Sequence, residues 1–534
     1  MIKYIFLSLI FILVLFQDIE AQTAVQDNGQ IYFMDKNGNK IENLGTWDQR
    51  GDFNELLYFT KVSQNGQAYL LHKSGKSYQV AYRPDMLNDK TKALFLEFLP
   101  ADNFLEYDIK SKKIEILVLK NCEIKNLGAL LKACPLLEVL YIEKSGLNSL
   151  PAEIGKLKNL DRLTVSANLL NTVPKELFNL KKLRELRLNE NKIEQLPADI
   201  GKLNRLEILT LGGNKLSSLP KEIGRLSQLR GLDLSQNQIS SLPSEFGKLT
   251  KLNVLALNNN KLEQLPDFSE LLLLKSADLS NNKLDSLPTG IGQLQSLEYL
   301  DLKNNEIVIL SAEIGKLEKL QDLDLSNNSI YLLPAQFGNL AQLSTLILSD
   351  NIMSSLPAEF GQLKKLTVLG LSNNQFNSFP AEVGQLKSLK ILNFSDNKIN
   401  SISSEIANLI DLQSLNFSKN QLINLPSEIG QLSSLVALDL SLNLISSLPE
   451  EISNLSNLTA LNLSDNKIDK LTEGFFNLTR LQILYLDNNQ LKTLHADFHK
   501  LNKLKMLTIS DNKDLPKNEI TDLKNKLPDC LITQ

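Results

Sequence analysis

The sequence predicts an α/β solenoid, in which similar coils stack and each coil holds one short strand and one short helical turn. Three observations predict it. One pattern of leucine and asparagine returns at a regular interval, so that Asn168 and Asn191 lie 23 residues apart. Two leucines of each copy stand two residues apart, which is the side-chain period of a β-strand. The rest of each copy reads L-P-x-E-I-G, in which proline and glutamate suit the start of a helix.

The repeat is the strongest signal in the chain, because chance does not hold one period over so many copies. Its strand half reads L-x-x-L-x-L-x-x-N-x-L, and successive copies are 23 residues apart except for one step of 22 residues, from Asn260 to Asn282. Ser145 and Cys122 occupy the asparagine position in two earlier copies, so we expect about eighteen coils. The recurring asparagines are Asn168, Asn191, Asn214, Asn237, Asn260, Asn282, Asn305, Asn328, Asn351, Asn374, Asn397, Asn420, Asn443, Asn466, Asn489 and Asn512.

These asparagines are predicted to form a ladder along the stack, here called the asparagine ladder. Each one lies where the strand turns into the following loop. Its side-chain amide offers two donors and an acceptor, so it can satisfy loop backbone groups that would otherwise be buried without partners.

The second half of each coil predicts a short helical turn on the convex side, with the strands on the concave side. In one copy Pro220 suits the first helical position, Glu222 suits the positive end of the turn, and Gly224 is expected to end it. A single coil buries too little apolar surface to fold alone, so the array requires stacking and capped ends.

The unit from Leu219 to Ile239 resembles the leucine-rich repeat family, and the resemblance covers about three quarters of the chain. Its 23-residue form with L-P-x-E-I-G is similar to the Ras-suppressor and plant Ras-group-related type, and to arrays in secreted bacterial proteins. The resemblance implies a curved horseshoe that takes part in protein–protein interaction, usually through its concave face. It does not imply one particular partner.

The N-terminus predicts a signal peptide over residues 1–21. Lys3 supplies a positive start, Ile5 to Phe16 is an uncharged apolar run, and Asp18 ends it before a possible cleavage position at Ala21. The run is too short to span a bilayer comfortably, and no second one of membrane length follows. We therefore expect a secreted or envelope-exported protein with no membrane span once the leader is removed.

Between leader and array, residues 22–92 lack the repeat and show hairpin signals, including Asn37-Gly38 as a tight turn. They predict a small β-rich module, and an N-terminal cap is an equal alternative. The array is expected over residues 93–512 and a C-terminal cap over 513–534, where Asn518 is a candidate start for a helix that ends before Pro528.

Composition argues against several functional classes. Lys plus Arg number 57 and Asp plus Glu 61, for a net charge of −4, so there is no basic field to attract nucleic acid. With three histidines and three cysteines the chain is poor in groups for acid–base chemistry, and we predict no catalytic residue, no metal and no cofactor.

The few chemistry-bearing residues favour structural roles. Cys122 and Cys134 fall on inward repeat columns and predict buried thiols, with a disulfide between them left open. Cys530 has no base near it in sequence, and His495 and His499 lack the glutamate of an H-E-x-x-H zinc motif. The Asp35–Asn39 segment lacks the glycine and glutamate positions of an EF-hand.

The candidate partner surface is the column between the two strand leucines, which should face outward on the concave side. A row of acids there favours a cationic partner or a bound cation, whereas the alternative is a solvated form of a common repeat variant. Tyr299 and Tyr485 are the only aromatic residues placed on this face. The candidates are Asp233, Asp278, Tyr299, Asp301, Asp324, Asp439 and Tyr485.

Three hypotheses about function follow. The first is an exported, non-catalytic protein that binds a protein partner through its concave face. The second is a cytoplasmic leucine-rich scaffold that regulates small-GTPase signalling, as the Ras-group resemblance implies. The third, a hydrolase or ligase in residues 22–92, is disfavoured because His72 is the only histidine there and no cysteine is present.

Overall fold

The computed structural model describes residues 23–27, 30–34, 46–47, 49–50, 59–64, 67–72, 77–83, 86–101, 105 and 113–533, with side chains from residue 77 onward. The predicted leader at 1–21, the Asn37-Gly38 turn and the Asp35–Asn39 segment lie outside the described residues. By its contacts the chain divides into two compact units, residues 1–262 with 266–277 and residues 263–265 with 278–534.

The first unit begins with antiparallel strands. Strands β1 (Thr23–Asp27), β2 (Gln30–Met34) and β3 (Thr46–Trp47) form a three-stranded sheet. Strands β4 (Gln49–Arg50), β5 (Phe59–Gln64), β6 (Gln67–His72) and β7 (Ser77–Ala81) also pair antiparallel in sequence order. Strand β7 then pairs parallel with β8 (Thr91–Glu97), so the hairpin strands continue directly into the sheet of the coils.

From β8 onward every coil of the first unit adds one strand, and all of the pairs are parallel. The inward leucines are in register, as Leu140, Leu163 and Leu186 show, and each of the three is completely buried. These strands are β9 (Ile116–Lys120), β10 (Val139–Glu143), β11 (Arg162–Ser166), β12 (Glu185–Arg187), β13 (Ile208–Thr210), β14 (Gly231–Asp233) and β15 (Val254–Ala256), and β16 (Ser276–Asp278) lies at the division between the units.

The second unit repeats this arrangement with parallel strands up to the last one. The predicted solenoid of stacked coils is therefore confirmed within each unit. The strands are β17 (Tyr299–Asp301), β18 (Asp322–Asp324), β19 (Thr345–Ile347), β20 (Val368–Gly370), β21 (Ile391–Asn393), β22 (Ser414–Asn416), β23 (Ala437–Asp439), β24 (Ala460–Asn462), β25 (Ile483–Tyr485), β26 (Met506–Thr508) and β27 (Leu531–Thr533).

The helical half of most coils is a single 3₁₀ turn, a tighter helix that suits short segments. In the first unit the turns are Ala152–Lys156, Lys175–Asn179, Ala198–Lys202, Lys221–Arg225 and Ser244–Lys248. In the second they are Thr289–Gln293, Ala312–Lys316, Ala335–Asn339, Ala358–Gln362, Val383–Gln385, Ser404–Asn408, Ser427–Gln431, Glu450–Asn454, Glu473–Asn477 and Ala496–Lys500.

Two details of the turns differ from the expectation. Pro220 precedes the turn with an extended backbone, at φ −70° and ψ 146°, and is not its first helical residue. Gly224 lies inside the turn and does not end it. A Cβ there would stand 2.3 Å from the carbonyl oxygen of Glu245 in the next coil, so glycine is needed because neighbouring turns meet at backbone distance.

In the described part of the chain, two α-helices interrupt this regularity. Helix α1 (Leu127–Ala133) replaces the 3₁₀ turn of one coil, and Asn126 caps it by accepting a hydrogen bond from the N–H of Ala129. Helix α2 (Lys517–Lys526) lies between β26 and β27. It follows Pro516, so Asn518 is inside the helix and the expected cap at Asn518 is wrong.

The residue before the ladder position has a left-handed backbone in coil after coil, which the sequence did not predict. Its φ lies between +49° and +59°, and eleven of these eighteen residues are Asn or Asp, the side chains that tolerate this region best. In part of the second unit these side chains bond to one another, as Asn327 Nδ2 donates to Asn304 Oδ1 at 2.5 Å. The residues are Phe98, Asn121, Lys144, Ala167, Glu190, Gln236, Asn259, Asn281, Asn304, Asn327, Asp350, Asn373, Asp396, Lys419, Leu442, Asp465, Asn488 and Asp511.

Leu442 is the branched aliphatic member of this column, with φ +56° and a 44% exposed side chain. We expect Leu442→Asn to raise the free energy of unfolding by about 1 kcal/mol, because asparagine accepts the left-handed backbone at lower cost. Denaturant melts measure it. The control is Leu444→Asn in the same coil, which is 39% exposed and outside the left-handed column. An equal gain in both variants would mean that the backbone is not the cause.

Candidate partner-binding surface

Within each unit, the ladder asparagines join their own coil to the coil before it. Asn351 Nδ2 donates to the carbonyl oxygens of Leu325, one coil earlier, and of Leu348, both at 3.0 Å. Its Oδ1 accepts from the N–H of Ile330, also one coil earlier, at 2.9 Å. The side chain is only 6% exposed, so these bonds satisfy backbone groups that water does not reach.

Cys122 shows the same position filled by a thiol. Its Sγ lies 3.3 Å from the carbonyl oxygen of Leu96 and 3.4 Å from that of Lys120, which are the kinds of acceptor that an asparagine amide would bond. The cysteines are free, so the disulfide left open between Cys122 and Cys134 is not formed. Burial raises the pKa of Cys134 to about 12 and also raises that of Cys122, so both thiols stay protonated.

The other chemistry-bearing residues take structural roles. His495 Nδ1 accepts from the N–H of Asp497 at 3.1 Å, and the ring stacks on Phe476 with centroids 4.8 Å apart. His499 lies in the same 3₁₀ turn. Burial raises the pKa of Cys530. Across the described ranges, no three His, Cys, Asp or Glu residues come together as a group that could hold a metal ion.

The sheet face that points away from the leucine core, here called the outer strand face, carries the predicted acidic row. Asp278, Asp301 and Asp324 all lie in the second unit and are only 4%, 7% and 9% exposed, so they are more buried than a solvated surface row would be. Asp301 and Asp324 are directly paired in register. The carboxylates are therefore packed among neighbouring coils and not free in solvent.

Local hydrogen bonds hold these carboxylates in place. Asp324 Oδ1 accepts from the N–H and the hydroxyl of Ser326, at 3.0 and 2.5 Å. Ser280 gives Asp278 the same two bonds, at 3.0 and 2.6 Å.

Tyr299 stands on the same face beside Asp301. Its hydroxyl donates to Asp301 Oδ2 at 3.3 Å. Burial, followed by the charges of the three carboxylates, raises the pKa of this hydroxyl, so it remains a donor at any physiological pH.

The remaining candidates do not join this row. Asp233 lies in the first unit, where Ser235 and Asn189 hydrogen-bond its carboxylate and burial raises its pKa. Asp439 and Tyr485 lie further along the outer strand face of the second unit, and the Tyr485 hydroxyl is 3.6 Å from Met506 Sδ. Four of the predicted residues therefore form one group, the acidic row with Tyr299. The other three, Asp233, Asp439 and Tyr485, do not belong to it.

The first coils carry an apolar outer face that sequence reasoning missed. Tyr78, Phe95 and Val118 point to this side and are at most 5% exposed. Tyr141 is partly buried against them and is paired in register with Thr164. It lies on the face that carries the candidate residues, so the expectation that Tyr299 and Tyr485 are the only aromatic residues on that face is wrong. The signal was present in the nearly unbroken apolar runs of Ile116–Lys120 and Val139–Glu143.

Family models settle the identity of the repeat. A model described as leucine-rich repeat region matches residues 198–270, 216–304, 312–398 and 360–443, and one described as leucine rich repeat matches 135–193, 158–216 and 456–513. The chain belongs to the leucine-rich repeat family. Proteins of this family generally serve as scaffolds for protein–protein interaction. Comparison with curated proteins finds no match.

Solved leucine-rich repeat structures are similar to this one. A leucine-rich repeat protein of Leptospira interrogans is 38% identical, with 77% of this chain and 99% of that chain covered and a TM-score of 0.64. The plant peptide hormone receptor RGFR1 in complex with RGF2 is 25% identical, with 80% and 78% covered and a TM-score of 0.59. The Arabidopsis receptor kinase HAESA, in complex with the peptide hormone IDA and the co-receptor SERK1, is 27% identical, with 82% and 83% covered and a TM-score of 0.59.

In the described part of this leucine-rich repeat protein, no helix combines the length and the apolar character that crossing a bilayer requires.

The ladder and the acidic row predict different sensitivities to mutation. Asn328 donates to Leu302 O and Leu325 O, both at 3.0 Å, and accepts from the N–H of Ile307 at 3.0 Å. We expect Asn328→Leu to lower the free energy of unfolding by about 3 kcal/mol or more, because buried backbone groups of two coils lose their partner.

The comparison variant is Asp324→Ser. It removes the bonds from Ser326, and it should lower the free energy of unfolding by about 1 kcal/mol. Chemical denaturation of both proteins measures the difference. Equal losses would contradict the assignment of Asn328 to the inner side and Asp324 to the outer strand face.

Proposed function

We propose that this leucine-rich repeat protein is exported and binds a protein partner through its outer strand face, without catalysing a reaction. The acidic row of Asp278, Asp301 and Asp324 is the observation that supports the site, because three carboxylates are held rigidly side by side beside a tyrosine. The partner then presents basic side chains to the row.

The rigidity of these carboxylates favours binding because it lowers the entropy lost on association. Each of these carboxylates already accepts a hydrogen bond from the backbone N–H two residues later, so little side-chain entropy remains to be lost on association. The Tyr299 ring adds the kind of amphipathic contact that often anchors interfaces. The similar plant receptors are solved with peptide hormones, and by analogy the partner segment here is a polypeptide.

Export is supported by the leader-like sequence of residues 1–21. The competing function is an intracellular scaffold for small-GTPase signalling, which the L-P-x-E-I-G form of the repeat supports through its similarity to the Ras-suppressor type. The two functions place the protein in different compartments.

The leader makes a direct prediction. We expect the full chain, expressed in its source cells, to leave the cytoplasm with its N-terminus near residue 22, as N-terminal sequencing of the product measures. Val14→Arg, which charges the apolar run, should leave the protein uncleaved inside the cell. The matched control is Lys40→Arg, beyond the leader. An uncleaved, cytosolic wild-type chain would favour the intracellular scaffold.

The acidic row predicts which substitutions weaken binding of the partner. We expect the triple variant Asp278→Asn, Asp301→Asn and Asp324→Asn to weaken binding of the captured partner by at least about tenfold, because the charges vanish while the oxygen that accepts the backbone N–H remains. Surface plasmon resonance with the purified partner measures it, and added salt should weaken the wild-type complex.

The control variant is Asp469→Asn, an exposed acid in a loop, which should bind like the wild type. A triple variant with unchanged affinity and an unchanged melting temperature would show that the partner binds elsewhere.

A further inference from the structure

Beyond the acidic row, the same column of the second unit continues as a row of amides. Asn393, Asn416, Asp439 and Asn462 lie on the consecutive strands β21 to β24, and Tyr485 follows on β25, each paired in register with the next. We call these five residues the amide row. All of them are half-buried.

The oxygen atom of each side-chain amide in the row is hydrogen-bonded within the described residues, whereas the nitrogen atom is not. The backbone N–H of Ser395 donates to Asn393 Oδ1 at 3.0 Å, that of Ser418 to Asn416 Oδ1 at 2.8 Å, and that of Ser464 to Asn462 Oδ1 at 3.1 Å. Within the described chain, no group accepts a hydrogen bond from the Nδ2 atoms of these three asparagines. The row therefore presents three oriented donors whose partners must come from outside.

Asp439 alternates with these donors as an acceptor. Its Oδ1 accepts from the N–H and the hydroxyl of Ser441, at 3.0 and 2.7 Å, which leaves Oδ2 as its outward atom. The side chains two residues before the row on the middle strands are small, Ser414, Ala437 and Ala460. They leave the amides uncovered.

The surroundings of the row are almost uncharged. On β19 to β24, we count the outward strand residues, the residue before each strand and the serine two residues after it. Lys390 and Asp439 are the charged side chains at these positions, and beside Tyr485 on β25 Asp487 stands in place of the serine. The equivalent positions around β11 and β12 include Asp161, Arg162, Arg184, Glu185 and Arg187. A strongly charged ligand would therefore find little complementarity on the amide row.

The distance between successive groups of the amide row can be compared with the repeat distance of possible neutral ligands. Adjacent strands of a sheet lie about 4.8 Å apart, so the row offers one polar group per coil over roughly 19 Å. An extended polypeptide repeats its hydrogen-bonding groups on one edge only every second residue, about 6.7 Å, and falls out of step with the coils. A chain of β-1,4-linked pyranose rings turns successive rings over, but each ring carries hydroxyl groups on both edges, so every sugar can present a donor and acceptor to the row.

Sugar chemistry also fits the groups that the row presents. A hydroxyl both donates and accepts, so it can bond the Nδ2 donors and the Asp439 oxygen in turn. The Tyr485 ring at the end of the row offers an apolar body with a polar tip, which suits the C–H face of a pyranose. From this geometry we infer that the amide row binds a neutral glycan of 1,4-linked pyranoses, laid across the strands.

The test uses the full chain made in a host without N-glycosylation, because Asn393, Asn416 and Asn462 each begin an N-x-S sequon. Isothermal titration with cellohexaose and with chitohexaose should show saturable binding of at least one of them. Asn416→Asp should weaken this binding by at least about tenfold. That variant keeps the oxygen bonded to Ser418 and reproduces what Asp439 does one coil later, so it removes the donor and leaves the fold.

Tyr485→Ala should also weaken binding, and Asn477→Asp serves as the matched control, because Asn477 is an exposed asparagine at the end of a 3₁₀ turn. The control should bind like the wild type. Circular dichroism melts of all the variants verify that the fold is intact.

Three results would overturn the inference. The first is that the wild-type chain binds neither hexasaccharide at millimolar concentration. The second is that Asn416→Asp and Tyr485→Ala both bind as tightly as the wild type. The third is that an uncharged decapeptide of alternating serine and glycine displaces the sugar or binds in its place, which would assign the row to polypeptide.

Discussion

The structure depends on one constraint: every coil must satisfy the backbone groups that its turn from strand to loop buries. The asparagine ladder meets it with a single side chain, which bonds carbonyl oxygens and an N–H of two successive coils. The amide does this from inside the stack, and the outer strand face adds local bonds such as that from the Ser326 N–H to Asp324. Its residues are free to differ from coil to coil, and the acidic row and the amide row both arise from that freedom.

The same constraint explains the substitutions at the ladder position. Cys122 places a thiol where two carbonyl oxygens need a donor, and Ser145 donates its hydroxyl to the carbonyl oxygen of Glu143 and accepts from the N–H of Cys122. Both replacements lie in the first coils, beside the strands that run on from the N-terminal hairpins.

The sequence was enough to predict the strands, the turns and the ladder, because each depends on a spacing that repeats. Leu163 and Leu186 are inward because the strand period makes them so, and no neighbour changes that. The burial of Asp324 was not predictable in this way, since it depends on how closely the adjacent coils approach. The left-handed column escaped notice because Asn327 and Asp350 share it with Lys419 and Leu442, so no single residue type marks it. Tyr141 was not predicted because its coil carries Ser145 at the ladder position, so the asparagine that marks the other coils is absent there.

Within each unit, the ladder bonds between coils run in one direction. The asparagine of one coil reaches back to the coil made before it, so that earlier coil has its buried loop groups satisfied only when its successor has been added. Ribosomal synthesis delivers the coils in that same order, the N-terminal one first. Each new coil therefore completes the one already made, and an array that grows from its N-terminus is left with unfinished hydrogen bonding only at its most recent end.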